Sequence, residues 1–263
     1  WLHDLSELTH LVEQGGSRRG AQMIMLHDWH PDIVEFIISK MQNPKILQFL
    51  INSIKDPSIV QAAKNKLKFI PLTESEIQIN EFILEQSKIT PGIFSRQIVD
   101  AAFERINKGG HYEVNNPEFL SGANISVAIT KEFMEAVENG ADYPLRFPNV
   151  DNYTGENKDA YDEKWMHVGD VREWEKMGYP VKTYRTIRAK DLWNLINICA
   201  TYSAEPGIFF IDNANEMTNA VGYKQKVVCT NPCGEQPLAP YSVCNLAAIN
   251  LANMVDRDKA EVD

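Results

Sequence analysis

Short apolar runs of strand length recur along this chain between stretches of helical spacing, and that alternation restricts the fold to layered α/β arrangements. The runs are Gln22–Leu26, Asn124–Ile129, Ile208–Ile211, Lys226–Thr230 and Val243–Leu251. Before the first of them, Leu2–Gln14 carries Leu5, Leu8 and Leu11 at helical intervals and stops at Gly15-Gly16, a pair that ends helices. His30-Pro31-Asp32 opens a helix with Ile33, Phe36, Ile37 and Met41 on one face; the proline and the acid both suit a first helical turn. Lys131–Glu138 follows, and Arg188–Tyr202 has Leu192, Leu195, Ile196 and Cys199 as its apolar stripe.

Two stretches break the pattern. Asn43–Asn116 is helix-like, charged and interrupted by Pro44, Pro57, Pro71, Pro91 and Gly109-Gly110, which predicts an inserted helical subregion. Asn149–Tyr184 is polar, aromatic and weakly periodic, and predicts mostly irregular chain in which Trp165, Trp174 and Tyr184 cover a core edge. The expected division is 1–42, 43–118 and 119–263.

Charge and cysteine content narrow the function. A formal charge of −10 opposes binding to nucleic acid or an anionic membrane, since phosphate needs a surplus of Lys and Arg. No run approaches the roughly 20 apolar residues that span a bilayer, and Trp1–Gln14 has neither a basic start nor a cleavable apolar core. A cytoplasmic location is expected. Four cysteines are too few for a secreted disulfide scaffold, so each thiol has a packing or a chemical reason. The first residue is Trp1, and a segment of something longer is expected.

The chemistry concentrates in Asn231-Pro232-Cys233-Gly234-Glu235-Gln236-Pro237. Pro232 and Gly234 bar a regular helix around the thiol. In an extended segment Asn231, Cys233 and Glu235 would face one way, bringing together an amide, a carboxylate that takes a proton, and a thiol that transfers a proton or a hydrogen atom. Cys244 is a second thiol further along. From the residues alone, Cys233 and Cys244 are equally well read as small buried hydrophobes. Arg18-Arg19, after Gly15-Gly16, is the best anion site in the sequence, because guanidinium forks suit phosphate; a solvated basic turn is the plain alternative. His27 and His30 lack a neighbouring set of further ligands, so packing and helix entry explain them better than a metal.

Asn231–Leu238, followed by Ser242-Val-Cys-Asn-Leu-Ala-Ala-Ile-Asn-Leu251, resembles the active-site loop and following strand of ribonucleotide reductases. Gln14-Gly-Gly-Ser-Arg-Arg-Gly-Ala-Gln-Met23, with His30–Ile33 behind it, resembles the family's first specificity loop and next helix; Leu120–Val127 resembles the second loop and its strand. Ala204–Asn213 resembles another core segment, and all of these run in family order. The short gap between Cys233 and Cys244 is similar to the adenosylcobalamin-dependent class.

The resemblance implies part of a ten-stranded α/β barrel with an active-site finger loop and a helical insertion. It implies Cys233 as the thiyl that takes the ribose 3′ hydrogen, Glu235 as base on the 3′ hydroxyl, Asn231 as the group orienting the hydroxyls, and Cys244 as half of the reducing dithiol. Asn231, Pro232, Cys233, Gly234, Glu235 and Gly16 would meet substrate; Arg18, Arg19, Gly122 and Asn124 would serve the effector. Cys199 and Cys229 are expected to be packing residues. Implied partners are a ribonucleoside di- or triphosphate, a deoxynucleoside triphosphate or ATP effector, a thioredoxin-like reductant, the remaining segments of the same enzyme and a second copy as homodimer. Adenosylcobalamin, bound mainly by segments outside this chain, is the implied cofactor, and the fragment is expected to be inactive alone. An iron-dependent large subunit and a non-catalytic nucleotide-binding regulatory piece stand as alternatives.

Overall fold

In a computed structural model, the structure describes residues 1–14, 18–115, 120–256 and 261–262, with the backbone alone for 13–14, 18–19, 255–256 and 261–262. Helix α1 (Leu2–Leu11) leads into a two-residue antiparallel pair, β1 (Glu13–Gln14) with β2 (Arg18–Arg19). The helix is where the leucine spacing predicts it, but its buried residues are Ser6 and Thr9, while Leu8 and Leu11 are exposed. Small side chains let α1 approach neighbouring backbone: the Gly122 N–H donates to Ser6 Oγ at 3.0 Å, and a Cβ at Gly122 would stand 2.2 Å from the Ser6 carbonyl oxygen.

The centre is a parallel sheet of β3 (Gln22–His27), β6 (Ala123–Ile129) and β9 (Gly207–Phe210), in the spatial order β3-β6-β9. Its register sets Leu26 beside Val127 and Val127 beside Ile208. Side chains alternate between the faces of a strand. One face presents Ile24, Leu26, Ile125, Val127 and Ile129 to the main core, with α2 (Ile33–Ile38) contributing Ile33, Val34 and Ile37. The opposite face presents Met25, Ala128 and Phe209 to a smaller cluster with Ile211 and Val227.

Between β3 and β6 the chain makes α3 (Pro44–Ser53), α4 (Pro57–Asn65), β4 (Leu67–Pro71), α5 (Glu74–Ile89), α6 (Arg96–Lys108) and β5 (Gly110–Val114), with β4 and β5 paired antiparallel. Pro44 and Pro57 start helices instead of ending them: Asn43 caps α3 by accepting from the Lys45 amide at 3.0 Å, and Asp56 caps α4 through the Ser58 and Ile59 amides. A Thr73–Glu76 capping box opens α5.

Between β6 and β9 run α7 (Lys131–Asn139), β7 (Asp142–Pro148), α8 (Glu156–Val168), α9 (Val171–Lys176), β8 (Val181–Arg188) and α10 (Ala189–Ser203). The irregular chain expected over 149–184 is thus corrected to two helices and a strand, β8 pairing antiparallel with β7. Its order comes from aromatic packing: Trp174 is fully buried, meets Trp165 edge-on and stacks on Tyr179, and its indole N–H donates to Tyr153 Oη at 2.9 Å. Tyr184 lies outside that cluster, exposed under the Lys182 ammonium. Leu192, Leu195, Ile196 and Cys199 of α10 are buried in the main core.

After β9, α11 (Ile211–Met217) begins at Ile211, one residue inside the run read as strand. Of Lys226–Thr230 only β10 (Cys229–Thr230) is strand, paired with β11 (Pro237–Leu238). Val243–Asn250 is irregular and exposed, where a strand was expected. An apolar strand is held by a ladder partner and a covered face, and these residues have neither among the described residues; Leu246 is 81% exposed. No helix among the described residues is long and apolar enough to cross a membrane.

Candidate active site

The loop 231–236 lies between the paired strands β10 and β11. Asn215 of α11 anchors its approach, donating from Nδ2 to the Val227 carbonyl at 2.9 Å and accepting the Val227 N–H at Oδ1 at 2.8 Å. Val227 and Thr230 are buried, so the chain is fixed up to the loop.

Within the loop the backbone is turned and not extended, so of the two conformations that Pro232 and Gly234 leave open the looped one is found, and Asn231, Cys233 and Glu235 do not meet by sharing one face of a strand. The Gly234 N–H donates to the Asn231 carbonyl at 3.0 Å and the Asn231 N–H to the Gln236 carbonyl at 3.1 Å. Gly234 has φ +85°, a conformation that glycine adopts without a Cβ clash. The turn brings the amide and the carboxylate together by a different route: Asn231 Nδ2 donates to Glu235 Oε1 at 2.6 Å, and Asn231 Oδ1 accepts from the Gln236 N–H at 2.9 Å. Cys233 stands between them in sequence and is exposed.

Pro232, Cys233 and Gly234 border a cavity of about 590 Å³ whose other walls include Met23, Asn124, Ser126, Glu205, Gly207 and Phe209. Met23, Asn124, Ser126, Gly207 and Phe209 alternate with the residues of the main core, so this wall is the sheet face opposite that core, in its amino-terminal half. No closed barrel forms among the described residues, and the loop lies over this face with its thiol at the cavity rim. Asn124 Nδ2 donates to the Pro232 carbonyl at 2.6 Å, joining β6 to the loop.

Below Asn124 is an ion pair, its lysine buried and its glutamate on the cavity wall, that sequence reasoning missed. Lys40 Nζ, 2% exposed, meets Glu205 Oε2 at 2.5 Å and donates to the Ala123 carbonyl; Glu205 Oε1 accepts the Ile125 N–H at 2.8 Å. Only burial marks these residues out: a lysine at the end of a helix and a glutamate before proline read as surface charges.

The other expected site residues are scattered. Cys244 is exposed on the irregular segment after β11. Cys199 is buried, which pushes its thiol up to about 12 and makes it a packing residue. Cys229 is half-buried, burial raises its thiol also, and Sγ donates to the Thr230 carbonyl at 3.4 Å. Arg18 and Arg19 form β2, Gly122 packs on Ser6, and Gly16 lies outside the described residues. His27 stacks on Trp29, and His30 Nδ1 accepts the Asp32 N–H at 3.1 Å.

A second cavity, of about 640 Å³, opens at the carboxyl ends of the strands and is lined by Lys131, Arg146, Asp170, Arg172, Asp212 and Lys226 among others, with no cysteine in its lining. Arg172 bridges Asp170 at 2.8 Å and Asp212 at 2.7 Å. Nearby, fully buried Asp28 accepts from the Thr130 N–H at 2.5 Å and Tyr143 Oη at 2.9 Å. This cavity is the larger of the two, but its walls are mostly charges paired with one another and no thiol lines it.

Comparison with known proteins bears on the cysteine loop. The family model described as "Ribonucleotide reductase, barrel domain" matches residues 1–263. A vitamin B12-dependent ribonucleoside-diphosphate reductase of Thermoplasma acidophilum is 27% identical over 256 residues, covering 97% of this chain and 20% of that protein. One of the same description from Mycobacterium tuberculosis is 30% identical over 151 residues, 57% of this chain and 17% of that protein. A ribonucleoside-diphosphate reductase large subunit of Ostreid herpesvirus 1 is 28% identical over 167 residues, 62% of this chain and 19% of that protein. The chain thus spans about a fifth of the length of these relatives.

Proposed function

This chain belongs to the ribonucleotide reductase barrel-domain family, and from that premise we propose that it carries the radical cysteine loop of a reductase converting ribonucleotides to 2′-deoxyribonucleotides. The observation that carries the reading is the turn at Cys233: an exposed thiol at a cavity rim, flanked by a hydrogen-bonded amide and carboxylate. In this reading β3, β6 and β9 belong to a ten-stranded barrel completed by segments beyond this chain, residues 43–118 are a helical insertion, and the enzyme is cytoplasmic.

The chain's own residues supply most of the chemistry. A thiyl at Cys233 Sγ takes the hydrogen atom from ribose C3′, so an S–H bond forms as a C–H bond breaks and the radical passes to the sugar. Glu235 accepts the proton of the 3′ hydroxyl while Asn231 orients the hydroxyls. The 2′ hydroxyl leaves as water, two electrons come from a dithiol of which Cys244 is half, and Cys233 returns its hydrogen atom to C3′. The balance is ribonucleotide plus dithiol to deoxyribonucleotide, disulfide and water, with a thioredoxin-like protein restoring the dithiol. Adenosylcobalamin, held mainly by other segments, is the source of the radical when bound; the exposure of Cys233 fits a cofactor that reaches the thiol from outside these residues. The substrate is a ribonucleoside di- or triphosphate. Arg18 and Arg19 bind the phosphates of a deoxynucleoside triphosphate or ATP effector, and Gly122 and Asn124 connect that site, in a homodimer, to the loop.

The test is tritium release from 3′-labelled substrate by the full-length reductase. A serine O–H bond is far stronger than a thiol S–H bond, so Cys233→Ser is expected to abolish release even in a single turnover. Cys244→Ser is expected to retain release and lose product, because abstraction precedes reduction. Release near the wild-type rate from Cys233→Ser would overturn the proposal.

A further inference from the structure

The Lys40–Glu205 pair belongs to no step proposed above, although Glu205 is in the wall of the Cys233 cavity with Lys40 buried behind it. Lys40 extends from the end of α2, and Glu205 precedes the cis Glu205–Pro206 peptide at the entrance to β9. Together they hold three consecutive residues of β6: the Ala123 carbonyl accepts from Lys40, and the Ile125 N–H donates to Glu205. Asn124 is the residue between them, and its exposed side-chain amide donates to the Pro232 carbonyl at 2.6 Å, one residue from the thiol. A short, stiff path therefore runs from the ion pair to the reacting sulfur.

Burying a lysine and a glutamate is costly unless each finds good partners. Here both Glu205 oxygens are engaged, and Lys40 has a carboxylate and a carbonyl. Packing alone does not call for a charge here, since Ala123 and Ile125 are themselves buried and Ile125 packs in the main core. A charged pair fixes direction where an apolar contact would slide.

We propose that the Lys40–Glu205 pair is a positioning device for the reaction: it sets the strand end Ala123–Ile125, from which Asn124 holds the Pro232 carbonyl and so the height of Cys233 over the cavity. This deepens the function proposed above and rests on it. Neither Lys40 nor Glu205 touches the reacting atoms; both act through Asn124. Hydrogen-atom transfer depends steeply on approach, and a misplacement of about 1 Å can cost on the order of 100-fold in rate.

The experiment uses the full-length reductase and 3′-tritium release, with kcat and KM measured separately. Asn124→Ala alters an exposed side chain, so the fold should hold. Its kcat should fall by at least about tenfold while KM stays within about twofold, since the residue sets the thiol and not the substrate. Glu205→Gln keeps an acceptor for the Ile125 N–H but removes the charge opposite Lys40, and should lower kcat in the same sense. The double variant should be no worse than the more severe single one, because both changes act through one carbonyl. Wild-type kcat in Asn124→Ala, a loss confined to KM, or multiplying losses in the double variant would each overturn the inference. If Glu205→Gln fails to fold, the Asn124→Ala split alone decides. Cys233→Ser in the same assay separates the two claims: persistent release there removes the proposed function, whereas its loss together with an unaffected Asn124→Ala removes only the positioning role.

Discussion

The two ends of the central sheet are built on opposite principles. At the carboxyl ends of β3, β6 and β9, Asp28, Asp170, Arg172 and Asp212 are tied to one another and to backbone, and the 640 Å³ cavity above them has walls that are already paired. Toward the amino ends, on the face away from the main core, an exposed thiol stands over a slightly smaller cavity. Ligands of open parallel sheets usually bind at the carboxyl ends. A ligand there would have to displace protein ion pairs, so in this chain the carboxyl ends serve as a clamp, and the chemistry proposed above is assigned to the other end.

The largest effect that tests this contrast is Arg172→Met. It leaves Asp170, 4% exposed, and Asp212, 21% exposed, without the guanidinium between them. Burial pushes Asp170 up, and the Arg172 hydrogen bonds and charge outweigh it, holding the carboxyl at about 2. Lys226, 3.5 Å from Asp170, and the Lys131 N–H on Asp212 replace only part of what is lost, and the change should destabilise this region by about 3 kcal/mol, seen as a lower urea midpoint with an unchanged slope. A loss below about 1 kcal/mol would reduce the clamp to a set of surface pairs.

Next in size is a pH effect. Burial raises Asp28 to about 7, against the hydrogen bonds from Thr130 and Tyr143. A folded pKa above the unfolded one means that the contribution of Asp28 is complete below its ordinary 3.8 and is lost as pH rises through about 7. His27 runs the other way: burial lowers it to about 4, so its contribution is complete above its ordinary 6.5 and is lost as pH falls through about 4. Between pH 4 and 6.5 the two slopes, each up to about 1.4 kcal/mol per pH unit, oppose one another. Asp28→Asn should expose the His27 slope, with stability rising with pH, and His27→Gln the reverse. Parallel pH profiles in the two variants would refute the opposition.

The sequence was unevenly legible at both ends, for physical reasons. Strand β6 and helix α10 were readable because buried residues impose their periods on the chain, as Ile125, Val127 and Ile129 do in β6. Helix α8 was not, since its one buried residue is Ala160 and its order comes from aromatic contacts with α9 and residues around Tyr153. Pro232 and Gly234 announced a turn at Cys233, but not that Asn231 would close it by bonding Glu235 and Gln236. Lys40 and Glu205 are 165 positions apart, and no local spacing signals a pair at that separation. Val243–Leu251 misled in the opposite sense: its composition is that of a strand, yet a strand also needs a neighbour.

The smallest expected stability change sharpens the contrast most, because it should come with a large functional one. Asn231→Ala removes the donor to Glu235 Oε1 and the acceptor for the Gln236 N–H. It leaves the two backbone bonds of the turn, Gly234 N–H to Asn231 carbonyl and Asn231 N–H to Gln236 carbonyl. Glu235 and Gln236 are exposed, so water replaces both lost partners and the cost should stay near 1 kcal/mol. The chemistry has no such substitute. Without the amide, Glu235 is free to leave the position from which, in the proposed mechanism, it meets the 3′ hydroxyl, and product formation in the full-length reductase should fall at least tenfold, on the order expected for losing one general-base alignment, about 10²-fold. Thermal unfolding and turnover measured on the same preparation decide it. A variant that loses stability in proportion to activity would make Asn231 a structural residue like those of the clamp, and the division of labour between the two ends would no longer hold.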